Sequence, residues 1–157
     1  MTDEHEEDHV ATVSALHDGW MESMGARFVK VTRSEVIAEL DVGPRHHQPL
    51  GMVHGGVLSG LVETVTSVGC GIDAMSRGKL SVGVENHTSF LHAVRRGRIR
   101  AIARAISRGS RTQVWQADVE DDRGRIVATG RVRFFVLEPG SSVAGEAVEI
   151  KDSGARS

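Results

Sequence analysis

MVHGGVLSGLVETVTSVGCGIDAM, residues 52–75, is the stretch that decides the fold. It is long and apolar yet dense in Gly, Ser, Thr and Val, so propensity alone does not favour a helix. Length argues against a strand, since strands rarely run past about ten residues. Leu58, Leu61, Val62, Val65, Val68 and Ile72 recur at spacings of three and four, which predicts a helix. A membrane span is the rival reading. Glu63 in mid-run and the many small polar residues oppose it. The expectation is a helix buried inside protein on most sides.

Working outward, the segments on both sides read as strands. Upstream, ARFVKV (26–31) and EVIAELDV (35–42) flank Thr32-Arg33-Ser34. In the second, Val36, Ala38, Leu40 and Val42 alternate with Glu35, Ile37, Glu39 and Asp41, so the pair predicts a hairpin of half-buried strands. The Pro44–Pro49 stretch predicts a loop. Before the hairpin, Val13, Leu16 and Trp20 predict a short amphipathic helix over 11–22. Downstream, strands are expected at 80–92, 98–107, 112–120 and 125–137, joined by Gly-containing turns at VRRG, RGSR and DDRG. Ile99, Ile102 and Ile106 would also suit a helix at 98–107. In the last strand Ile126, Ala128, Gly130, Val132, Phe134 and Val136 share one face. Tight turns between successive strands predict an antiparallel sheet. The expected class is α+β: about six antiparallel strands wrapped around one long helix.

The chain has 157 residues, 39% hydrophobic and 25% charged, which suits one domain. Domain limits are expected at 11–137, with an acidic flexible tail over 1–10 and a small, polar flexible tail over 138–157. Aromatics are 4% with no Tyr, which disfavours stacking on single-stranded nucleic acid. One cysteine leaves no intramolecular disulfide and no four-cysteine zinc site. The start MTDEHEEDH lacks the basic and apolar character of a signal peptide, so a cytoplasmic location is expected. Residues 1–9 carry five acids and no Lys or Arg, whereas 10–137 carry 17 bases and 12 acids. A mildly basic body is compatible with an anionic ligand, or with a solvated, Arg-rich surface.

Glu63 is the only charged side chain between His54 and Asp73. A carboxylate in a buried helix is costly unless paired, which makes it a candidate for acid–base or nucleophilic chemistry. An exposed stripe or a quiet ion pair is the alternative. Ser59, Gly60, Glu63 and Ser67 share its helix face, leaving room for a ligand or a second subunit. His54-Gly55-Gly56 stands where loop becomes helix, and free N–H groups there suit an anion or a developing oxyanion. His46-His47 lacks a matched carboxylate set, so a solvated loop is expected rather than a metal site. Cys70 is expected as a small core side chain.

Together, PRHHQPLGMVHGGVLSGLVETVTSVG and, downstream, GSRTQVWQADVEDDRGRIVATGRVRFF resemble the hotdog-fold acyl-CoA thioesterases. The resemblance is to the branch holding Arthrobacter-type 4-hydroxybenzoyl-CoA, 1,4-dihydroxy-2-naphthoyl-CoA and phenylacetate-pathway thioesterases, and covers roughly residues 11–137. It implies Glu63 as nucleophile or general base, with Ser67 positioning it or the water. It implies that the Gly55 N–H polarises the thioester carbonyl, and that Gln48 and His54 orient the thioester. It also implies a homodimer in which Glu63 and Ser67 of one chain face Gln48, His54 and Gly55 of the other, and in many members a dimer of dimers. Gly109-Ser110-Arg111 matches the family's turn against the CoA nucleotide. His92 stands where some relatives carry an Arg that meets a CoA phosphate. His87 and Phe90 are candidates to line the acyl pocket. No metal or other cofactor, nucleic acid or membrane is expected.

The expected function is hydrolysis of an aromatic or broad range of acyl-CoA esters to free acid and CoA. The rivals are a non-catalytic acyl-CoA-binding hotdog protein, a hotdog dehydratase or hydratase, and a plain scaffold.

Overall fold

The computed structural model describes residues 6–16 and 19–150. The chain runs α1 (Val10–Ala15), α2 (Gly19–Met24), β1 (Ala26–Val31), β2 (Glu35–Val42), α3 (Gly55–Met75), β3 (Leu80–Phe90), β4 (Gly97–Arg108), β5 (Thr112–Glu120) and β6 (Ile126–Leu137). A short ladder, β7 (Ser142–Val143) with β8 (Glu146–Ala147), follows. The main sheet is six-stranded and antiparallel, in the order β1-β2-β4-β5-β6-β3. It wraps around α3, the α+β hotdog arrangement.

The helix is made possible by its glycines rather than despite them. Trp20 lies across Gly60 and Trp115 across Gly69, each so close that no Cβ would fit without movement. Ring-against-backbone packing at two levels replaces the helix propensity these residues lack. Along the same helix Leu58, Leu61, Val62, Val65 and Ile72 are buried in the core, and Val68 is partly buried. Thr66 back-bonds to the Val62 carbonyl at 2.7 Å, which satisfies its buried hydroxyl. The helix is long and apolar enough to cross a bilayer, with mean hydropathy 1.3, but half of that window is buried inside the protein. Burial also pushes the Cys70 thiol up to about 11, so it stays a neutral core side chain.

Several expectations need correction. VRRG is not a hairpin turn: β3 pairs with β6 and β4 pairs with β2, so the 91–96 link carries the chain across the sheet. The single helix over 11–22 is two short ones, α1 and α2; residues 17–18 lie outside the described residues. In β6 a bulge between Val119 and Glu120 of its partner turns Ile126 outward and Val127 inward. The segment 98–107, by contrast, is the expected strand rather than a helix, and Ile99, Ala101 and Ala103 form its buried face.

The acidic start is docked from residue 6 onward. Asp8 accepts from the Val10 and Val31 N–H groups at 2.9 and 3.2 Å, and Glu6 bonds Ser34. Within the expected C-terminal tail, 138–150 carries the β7–β8 ladder. Residues 1–5 and 151–157 of the two tails lie outside the described residues.

At the far end of α3, Asp73 is 2% exposed and gathers a cluster. Arg33 and Arg77 bond it at 3.1 and 2.8 Å, and the buried Gln113 amide donates to it at 2.7 Å. Trp115 Nε1 donates onward to Gln113 at 2.8 Å. The Arg108 guanidinium lies 5.4 Å from the Trp115 ring centroid and within 3.9 Å of Asp73. This cluster ties the β1–β2 turn, α3, β4 and β5 together.

Candidate functional site

His54 is the N-cap of α3. Its Nδ1 accepts from the Gly56 N–H at 2.8 Å, and its carbonyl accepts from Val57 N–H at 2.9 Å. The Gly55 N–H has no acceptor among the described residues, so it stands unpaired at the positive end of a 21-residue helix. A Cβ there would meet the Phe90 ring at 2.7 Å, so a larger residue must push that ring out of its place beside the N–H.

A groove of about 280 Å³ opens beside this N–H, lined by Gln48, Met52, Gly55, Leu58, Phe90 and His92 among others. Its loop is held by backbone turns and by Arg95, whose Nη1 donates to the Leu50 and Gly51 carbonyls at 2.8 and 3.0 Å. Gln48 Oε1 accepts from the Leu50 N–H at 2.9 Å. That leaves the Gln48 side-chain NH₂ to donate to a ligand.

Glu63 lies two turns further along α3, half-buried against β3. Its Oε2 accepts from Asn86 Nδ2 at 2.8 Å, and its Oε1 from Ser67 Oγ at 3.4 Å. Gly83 of β3 clears the space for Oε1; a Cβ there would lie 2.6 Å from it. Asn86 and Gly83 escape a reading of helix faces, because they come from a strand distant in sequence. The polar run Glu85-Asn86-His87-Thr88-Ser89 in an otherwise apolar strand is the one signal that marks them.

The structure therefore groups Gln48, His54, Gly55, Phe90 and His92 at one place, and Glu63 with Ser67 at another. His87 does not join either. It lies on the outer face of the sheet with Glu85, Arg131 and Arg133, because strand alternation sends it opposite to Asn86. Ser110 and Arg111 are exposed in the β4–β5 turn, whose Gly109 carbonyl accepts from Arg77 at 3.4 Å near the end of α3.

The arginines of β4 are committed to ion pairs within the chain. Arg98 pairs with Asp41 and Glu39, Arg100 with Glu39, and Arg104 with Glu35. Hydrogen bonds from Arg100, together with the charges of Arg100, Arg98 and Arg27, hold the Glu39 carboxyl below its ordinary value against burial. Arg96 and Arg111 have no ion pair among the described residues.

The histidine pair is also not a solvated loop. His46 is 1% exposed; its Nδ1 accepts from Gly43 N–H and its Nε2 donates to the Met24 carbonyl, both at 2.8 Å. His47 Nε2 donates to the Arg95 carbonyl at 2.8 Å. Both rings pin the loop that shapes the groove.

Comparison with known proteins matches residues 50–128, half of the chain and all of the site's helix, to the thioesterase superfamily. A Mycobacterium tuberculosis protein named as a candidate esterase, Rv1847, is 34% identical over 117 residues, covering 73% of this chain and 84% of the relative. Its solved structure superposes with a TM-score of 0.76, covering 77% of this chain and 98% of that one. The 1,4-dihydroxy-2-naphthoyl-CoA hydrolase of Escherichia coli is 30% identical, covering 80% of this chain and 92% of the enzyme. A Haemophilus influenzae thioesterase structure, HI1161, is 26% identical with a TM-score of 0.77, covering 82% of this chain and 90% of that one. With its sheet, its central helix and these relatives, the chain belongs to the thioesterase superfamily of hotdog-fold thioester hydrolases.

Proposed function

We propose that the protein is an acyl-CoA thioesterase whose active site is shared between two copies of the chain. The observation that carries this is a separation. Gly55, with its unpaired N–H, and Glu63 stand eight residues apart on one rigid helix, a backbone separation of about 12 Å along its axis at 1.5 Å per residue. A thioester carbonyl gripped at Gly55 is out of reach of Glu63 of the same chain. A second chain, related by a two-fold axis, supplies the missing half twice over.

The edge of the sheet supports this. β3 has a ladder partner on one side only, and carries exposed Val84 and Phe90. A long, partly apolar open edge is a template for pairing with another strand. Glu63 packs directly behind this edge, at Gly83 and Asn86.

In the shared site Gly55 donates to the carbonyl oxygen as negative charge develops on it, the interaction that most lowers such a barrier. The Gln48 NH₂ and His54 flank the bound thioester. Glu63 acts either as general base or as nucleophile. As base, it takes a proton from water while the water oxygen adds to the carbonyl carbon. The tetrahedral adduct then expels the CoA thiolate, which recovers a proton. As nucleophile, it adds to the carbonyl carbon and displaces the CoA thiolate, which recovers a proton, leaving a mixed anhydride that water later opens. Both routes end in free acid and CoA. Phe90, Leu91 and Met52 offer an apolar wall for an aromatic or broad acyl group. Ser110 and the unpaired Arg111 suit the nucleotide phosphates of CoA. The reading extends to a cytoplasmic enzyme whose dimers pair into a tetramer.

A panel of CoA esters, from benzoyl and naphthoyl to straight chains, tests the substrate class by release of free thiol. The expected result is turnover with aromatic esters at least as fast as with straight chains. Tight binding of every ester without thiol release would favour a non-catalytic CoA-ester-binding protein instead.

A further inference from the structure

The two oxygens of Glu63 are not equivalent. Oε2 takes a 2.8 Å hydrogen bond from Asn86 Nδ2, while Oε1 has only the 3.4 Å approach of Ser67 and the space left by Gly83. Asn86 is itself held. Its Nδ2 also donates to the Ser59 carbonyl at 3.2 Å, and its Oδ1 accepts from Thr88 Oγ1 at 2.7 Å. Thr88 in turn is seated against Gly130 of β6, where a Cβ would come within 2.6 Å of its hydroxyl. This network permits one orientation of the amide. Reversed, Oδ1 would face both a carboxylate and a carbonyl, and the NH₂ would face the Thr88 hydroxyl.

We infer that Asn86, locked by Thr88, is a positioning residue that tethers Oε2 of Glu63 and leaves Oε1 as the reacting oxygen. This rests on the reading of Glu63 as the attacking or proton-accepting group. Neither Asn86 nor Thr88 touches the thioester; they act through the carboxylate. A tether matters because a long Glu side chain has several rotamers, and a misplacement of 1 Å at a reacting group can lower the rate by about 100-fold.

The test compares Asn86→Ala, Asn86→Asp, Thr88→Val, Thr88→Ser and Glu63→Gln in thiol release, with KM and kcat separated and folding checked by thermal melting. Asn86→Asp keeps size and the Thr88 contact but replaces the donor with an acceptor facing Oε2. It is expected to lower kcat more than Asn86→Ala does, with KM changed little. A merely structural role predicts the opposite order, since Asp is the closer isostere. Thr88→Val frees the amide to rotate and lowers kcat several-fold; Thr88→Ser keeps the donor and restores it. Wild-type kcat in both Asn86 variants, or a rise in KM alone, overturns this inference while Glu63→Gln stays inactive. Wild-type activity in Glu63→Gln overturns the role of Glu63 and this inference with it.

Discussion

Glu63→Gln is expected to lower kcat for thioester hydrolysis by about 100- to 10,000-fold, the range for losing a positioned acid–base group. Gln has the shape of Glu and keeps an oxygen that accepts from Asn86, so the helix and the strand behind it stay in place. It cannot take a proton from water, nor attack as a carboxylate. Binding of the CoA ester should persist, because the Gly55 N–H, the Gln48 amide and the apolar groove are untouched. Thiol release and equilibrium binding of a slowly turned-over ester, measured on the same preparation, separate the two effects. Undiminished turnover would remove Glu63 from the chemistry.

Asp73→Ala should be the most damaging single change to stability among the buried polar sites. Removing one partner of a buried ion pair costs about 3–5 kcal/mol when the other is stranded in the interior. Here Arg33 and Arg77 are half and one-third exposed, and return to water easily. The Gln113 amide does not. It is buried and loses its acceptor, at about 1–3 kcal/mol. A total near 3 kcal/mol is the expectation, or roughly 6–12 °C in melting temperature for a chain this long.

The effect should depend on pH. Burial pushes the Asp73 carboxyl up, but hydrogen bonds from Arg33 and Gln113 and the charges of Arg77 and Arg108 outweigh it and hold it below the ordinary value. A depressed folded value gives stability that is present above the unfolded value, about 3.9, and is lost as pH falls through the folded one. The gap between wild type and variant should therefore be full at neutral pH and narrow below about pH 4. Urea titrations at pH 7 and pH 3.5 measure this directly; an equal gap at both would deny the carboxylate its charged role.

What was legible in the sequence follows the range of the interactions. The bounds of β1 and β2 could be read because alternation of Val36, Ala38 and Leu40 with polar neighbours is written in adjacent residues. The helix α3 could be read from spacing, but not the reason its glycines are there, since Trp20 and Trp115 arrive from other elements. VRRG has the residues of a tight turn, yet a turn does not state which strands it joins. The pairing of β3 with β6 is decided by the whole sheet. The arginines of β4 face Glu35, Glu39 and Asp41 across the β2–β4 ladder, a pairing that no run of adjacent residues displays. His46 looked like a loop residue because nothing local shows that the Met24 carbonyl lies beneath it. At the candidate site, the helix positions of Glu63, Gly55 and Ser67 were legible from one element. Asn86, Thr88 and Gly83 were not, because their part depends on a strand packing behind the carboxylate.

The claim on which the rest depends is that Glu63 works on a carbonyl held by a different chain. Mixing two inactive variants, Glu63→Gln and Gly55→Val, after unfolding and reassembly together tests it most directly. Each variant alone should show almost no thiol release. If the site is shared, half of the mixed dimers combine the two chains, and each such dimer regains one intact site of two. Activity should return to about a quarter of the wild-type level for random pairing in a two-fold dimer. If the mixture stays as inactive as its components while the mixed dimer is shown to form, Glu63 and Gly55 serve the same chain's chemistry, and the shared-site account is wrong.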